Sequence, residues 1–175
     1  MKQLFFITLL SIVAALYNTD SCYGQLVASY PFTSDEAIDV SGNNLHGIIV
    51  GCTPTCDRFN KPNSAMFFDG ASYIMVPHND KLSFRTQGFT LCAWIKFCKG
   101  LRDYAGIIAK GPQAIFYPGY QLTITEQGRI TTQIGDSAEY GVERRGRTML
   151  NDGKWHFVAL VVGASNSKLA VDHVS

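Results

Sequence analysis

Residues Gly88–Phe97 read GFTLCAWIKF, and the alternation in this run decides the fold. It is rich in β-branched and aromatic residues, the composition of a strand. Successive side chains of a strand point to opposite sides. Phe89, Leu91, Ala93, Ile95 and Phe97 therefore share one face, and Thr90, Cys92, Trp94 and Lys96 share the other. The first face is wholly apolar and the second has Cys92 and Trp94 at its centre. Such a strand belongs inside a sandwich with cover on both sides.

Just upstream, Ala65–Phe68 and Ser72–Val76 read as two strands joined by Asp69-Gly70, a hairpin signal. Leu26–Phe32 is expected to be a first strand, at a sheet edge because Pro31 has no N–H. His46–Val50 is a second, and 52–64 a loop in which Cys52 and Cys56 flank a Thr-Pro-Thr turn. Downstream, 104–110, 120–125, 129–134, 155–162 and 168–171 read as strands, with a turn at Gln127-Gly128. The polar segment 136–146, with Glu139, Glu143, Arg144 and Arg145, reads as a solvated loop. No stretch has helical periodicity and no repeat is visible. About ten short strands in one domain mean a sandwich or barrel.

The net charge of +1 and pI near 7.6 exclude the basic footprint of a nucleic-acid binder. Charged residues are 17% of the chain, under the usual share of about 25%, but a 46% hydrophobic content is that of a globular core rather than a disordered chain. Residues 1–24 read as a signal peptide: a positive start at Lys2, an apolar run Leu4–Leu16, and small residues Cys22 and Gly24 before Gln25. The run is shorter than the about 18 residues a membrane span needs. A secreted or surface location follows as the expectation, with residues 25–175 as a single domain and no span in the mature chain.

Export permits disulfides, and Cys52, Cys56, Cys92 and Cys98 allow three pairings. A local Cys52–Cys56 bridge is the first choice. Cys92 and Cys98 then pair only if the chain bends sharply after Phe97. The spacing also invites a zinc reading, which no nearby histidine pair supports.

The order LVASYPF, DVSGNNLHG, DRFNKPNSAMFFDGASYIMVP, FTLCAWIKF, IIAKG, GYQLTI, WHFVALVV, KLAVD resembles the laminin-G-like, concanavalin A-like jelly-roll modules of secreted bacterial proteins, over nearly all of Leu26–Asp172. The resemblance implies an all-β antiparallel sandwich, glycan or protein as partner, and often a structural calcium ion. It also implies further strands and a closing acidic segment, so the chain is expected to be a truncated form. Losing that segment would remove one carboxylate from the calcium site.

Calcium wants six to eight oxygens. Asp39 and Asn43, with Ser41 between them, are the candidate metal loop, and the competing reading is an Asx turn. Phe116, Tyr117 and Tyr120 are candidate sugar-stacking residues, with Tyr104 and Tyr140 as further exposed aromatics. Arg144 is a candidate grip for an acidic group, beside Arg145 and Arg147. Trp94 and Trp155 are expected between the two layers. Glycosidases need two carboxylates across a cleft, and no strong strand carries such a pair. His156 reads as structural. The function expected is a non-catalytic binding module with carbohydrate as the favoured ligand. The alternatives are an adhesive, protein-binding domain and an accessory remnant of a secreted glycoside hydrolase.

Overall fold

The structure, a computed structural model, describes residues 24–84, 88–98, 104–111, 119–135, 141–163 and 167–173. Eleven strands follow one another: β1 (Ile48–Val50), β2 (Thr53–Thr55), β3 (Ala65–Phe67), β4 (Tyr73–Met75), β5 (Phe89–Lys96), β6 (Ala105–Lys110), β7 (Gly119–Ile124), β8 (Arg129–Gly135), β9 (Gly141–Met149), β10 (Trp155–Val162) and β11 (Ser167–His173). One turn of 3-10 helix, Asp80–Leu82, precedes β5. Among the described residues no helix is long and apolar enough to cross a membrane. The expected signal peptide, apart from Gly24, lies outside the described residues.

Two sheets carry the core. One has the order β11-β10-β5 and the other β6-β7-β8-β9, with every pairing antiparallel. Leu91 of β5 and Val158 and Leu160 of β10 meet Tyr120 and Leu122 of β7, Ile130 of β8 and Leu150. Leu122, Ile130, Leu150, Val158 and Leu160 are fully buried, each contributing about 1.5–3 kcal/mol. This is the antiparallel β-sandwich expected, and the apolar face of GFTLCAWIKF is its inner face.

Four expectations fail locally. Leu26–Phe32 forms no ladder: Pro31 lacks a donor, and Phe32 has φ +51 and leaves the extended region. Asp69-Gly70 does turn the chain, with Gly70 at φ +92 and Asp69 Oδ1 accepting from the N–H groups of Ala71 and Ser72. Yet β3 and β4 do not pair with each other; β3 pairs with β2 and β4 with β1. Thr-Pro-Thr is strand β2 rather than a turn. The polar stretch 136–146 expected as a loop overlaps the start of β9, which the β8 ladder recruits despite its composition.

Both indoles lie on the outer face. Trp94 alternates with the core residues Ala93 and Ile95, and Trp155 lies on the opposite face of β10 from Val158. Trp94 is opposite Phe157, their ring centroids 5.4 Å apart, and both are half-buried. Strand alternation places them there, so the expectation of indoles between the layers is corrected.

Cys52 is buried and Cys56, Cys92 and Cys98 are exposed, all as free thiols. Strand β2 lies between Cys52 and Cys56, and an extended chain rises about 3.3 Å per residue, which draws the two cysteines apart. The local bridge is not formed in this structure, where β2 extends the chain between the two cysteines. The Phe97 carbonyl accepts from Gly153 N–H, which keeps this end of β5 beside the lead-in to β10.

Candidate functional site

Asp39 is buried and its carboxylate is fully engaged. Oδ1 accepts from the N–H groups of Ser29 and Ser41, both at 2.9 Å. Oδ2 accepts from the Ser41 hydroxyl at 2.8 Å and Leu45 N–H at 3.0 Å. Burial alone pushes the carboxyl pKa up. The Ser41, Ser29 and Leu45 amides and the Ser41 hydroxyl outweigh it and hold the pKa well below the usual carboxylate range. Asn43 donates through Nδ2 to the carbonyls of Leu26 and Val27 and accepts at Oδ1 from the Lys81 ammonium. A calcium ion needs free oxygen lone pairs, whereas N–H groups point at Asp39 and a cation already meets Asn43. The loop fits the Asx turn and does not fit calcium. Among the described residues no three His, Cys, Asp or Glu side chains gather for a metal.

Tyr120 is not an exposed ligand residue but a core one. Its ring packs on Phe84 and Phe89 at 5.5 and 5.2 Å, and its hydroxyl donates to the Leu82 carbonyl at 3.2 Å. Burial pushes its pKa up to about 12, with Tyr30 adding to the shift. Its place in β7 turns it inward with Leu122 and Ile124. Phe116, Tyr117, Glu139 and Tyr140 lie outside the described residues. Arg144 is exposed on β9, where its Nε donates to the Ser167 hydroxyl of β11 at 2.9 Å. It ties the two sheets together.

The outward face of the four-stranded sheet is polar. Gln121 stands opposite Gln133, Thr123 opposite Thr131, Thr131 opposite Arg145 and Gln133 opposite Glu143. Arg145 Nε donates to Glu143 Oε1 at 2.7 Å and its Nη2 to the Tyr104 hydroxyl at 2.8 Å. Hydrogen bonding to Glu143 pushes the Arg145 pKa up. Tyr104 precedes β6 and Arg145 belongs to β9, the two outer strands of this sheet, so their side chains meet over the row Gly106, Thr123, Thr131. Beneath that strap Thr123 and Thr131 are only 1% and 0% exposed. The fault-free alternation of Tyr120–Thr125 was the sequence signal for this face. The Tyr104–Arg145 contact had none, since 41 residues separate the partners.

A second outward feature lies on the other sheet. The Arg58 guanidinium carbon is 4.3 Å from the Phe59 ring centroid and 4.5 Å from that of Trp94. The loop between β2 and β3 is held by Asp57 Oδ1, which accepts from the Phe59 and Lys61 N–H groups at 2.8 and 2.9 Å, and by Asn60 at φ +60. Sequence reasoning did not single out Arg58 or Phe59.

A laminin-G-type family model, described as the concanavalin A-like lectin/glucanases superfamily, matches residues 68–174. No curated protein and no solved structure matches the chain.

Proposed function

The chain belongs to the concanavalin A-like lectin/glucanase superfamily, and from that premise we propose that it is a non-catalytic carbohydrate-binding module acting outside the cell. The observation that carries this is the Tyr104–Arg145–Glu143 group set over a floor of threonine and glutamine side chains. It offers the Tyr104 ring for a sugar face and the charged groups of Arg145 and Glu143 for hydroxyls, a mixture suited to a small polar-ligand site.

The same face supports binding over hydrolysis. Glycoside hydrolysis works with two carboxylates flanking the bond. Glu143 is the single carboxylate on β6 to β9 and is engaged by Arg145 at 2.7 Å. His156, buried with Asp152 Oδ1 2.9 Å from its Nε2, belongs to the core.

Glycan-array screening followed by calorimetry on the best glycan tests the proposal. Tyr104→Ala and Arg145→Ala each weaken binding about 10-fold, as the loss of one ring contact or charged hydrogen bond does. A chelator leaves binding unchanged, because the Asp39 loop holds no cation-ready oxygens. Silence on every glycan would refute the proposal.

An adhesive reading also has a specific observation behind it. In the β1–β4 ribbon Ile48 faces Met75 and Val50 faces Tyr73, and all four are exposed. A protein-binding role would use that apolar face.

A further inference from the structure

Arg58 has an unusual set of neighbours for a surface arginine. Two aromatic rings hold its planar group, and among the described residues it makes no hydrogen bond or ion pair, so its N–H fork is uncommitted. Ring contacts fix the plane of a guanidinium and weaken its competition with water, while leaving the donor edge free. A fixed planar fork is the complement of a carboxylate, which it takes through two parallel hydrogen bonds. The Asp57 turn and Asn60 hold the loop in shape, so the fork is preorganised. Phe59 is 73% exposed and presents free ring surface beside the guanidinium. Lys96 lies on the same face of β5 as Trp94, two residues along, and adds positive charge.

We infer that Arg58, clamped by Phe59 and Trp94, is a binding fork for the carboxylate of an acidic sugar, whose ring packs on Phe59. The site lies on the outer face of the β11-β10-β5 sheet, apart from Tyr104 and Arg145 on the other sheet. The inference takes its ligand class from the carbohydrate reading above, and its location from the arginine clamp alone. The bare charge would accept any anion; the exposed ring beside it selects for a carboxylate borne on a sugar.

Calorimetry of the full chain tests it with four probes: a uronate trisaccharide, a neutral trisaccharide of the same linkage, a sulfated trisaccharide and a glutamate-rich peptide. Quenching or enhancement of tryptophan emission reports whether the ligand reaches Trp94. The expected result is uronate binding that perturbs the emission and exceeds neutral binding. Arg58→Lys, which keeps the charge and loses the fork, and Phe59→Ala each weaken it about 10-fold or more. Far-ultraviolet circular dichroism confirms that the variants fold. Unchanged uronate binding in Arg58→Lys overturns the inference, as does a preference for the peptide or the sulfated sugar over the uronate. Neutral-sugar binding lost in Tyr104→Ala but kept in Arg58→Lys, with no uronate preference, overturns this inference and leaves the carbohydrate reading standing. No binding of any sugar overturns both.

Discussion

A buried carboxylate with four donors is the clearest case of one residue organising a segment of this chain. Asp39 draws together Ser29, Ser41 and Leu45, which no ladder connects. Asp39→Asn keeps the shape, removes the charge and turns one acceptor into a donor facing N–H groups. The expected loss is about 2–3 kcal/mol in denaturant unfolding. Acid sensitivity follows with a definite sign. The unfolded carboxyl takes up its proton near pH 4, whereas the folded one resists to well below that. Below about pH 4 the unfolded chain thus binds more protons than the folded one, so stability present above that pH falls as pH falls. Asp152, held at about 2 by His156 first and then the Lys154 amide, acts in the same direction. Asp39→Asn therefore flattens the decline of the unfolding midpoint between pH 5 and 3 without abolishing it. An equal slope in both proteins would refute the assignment. The sequence singled out Asp39 and Asn43 as oxygen-rich. It could not tell that amides from residues 10 positions upstream and 6 downstream would fill those oxygens.

Elements were legible where their own residues carry the signal. The runs that became β5, β7 and β10 alternate or are apolar save for His156, β8 is marked by the turn at Gly128 before it, and each lies within a residue or two of its expected bounds. β2 and β9 were missed because proline, charge and glycine mark a loop locally, whereas a neighbouring strand supplies the order. The β3–β4 hairpin failed for the same reason: the turn at Gly70 is local, but the choice of partner is not. The turn between β7 and β8 shows both levels agreeing. Gly128 has φ +79, its N–H donates to the Thr125 carbonyl, and its own carbonyl accepts from Leu150 N–H. A Cβ there would stand 2.7 Å from Asn151 Cγ. Gly128→Ala combines left-handed backbone strain with that clash, and about 1–3 kcal/mol of stability is lost. Gly42, also left-handed at φ +90 but with open space around a Cβ, is the control. Gly42→Ala carries the backbone strain alone and costs less in the same thermal melt. Equal losses would show that the Asn151 contact has no role.

At the scale of the whole molecule, the two core sheets close unevenly. On β10 the core-facing Val158 and Leu160 are fully buried, while on neighbouring β5 Phe89, Ala93 and Ile95 of the same face are half-buried. β5 has β10 on one side and, among the described strands, no partner on the other. Natural edges are protected by charge, proline or a bulge. From Phe89 to Ile95 this edge has none of these residues, and Lys96 is its first charge. A net charge of +1 adds almost no repulsion between copies. The same neutral strand that decides the fold is thus an open template for pairing. The protein is expected to self-associate with rising concentration in sedimentation velocity, through β5 meeting β5. Thr90 is exposed and faces away from the core, so Thr90→Lys places a charge on the edge without disturbing the packing beneath. Two such lysines brought together across a paired edge repel, so the variant stays monomeric where the parent associates. A parent chain that is monomeric at every concentration, or association unaffected by the lysine, would show that this edge is closed in solution.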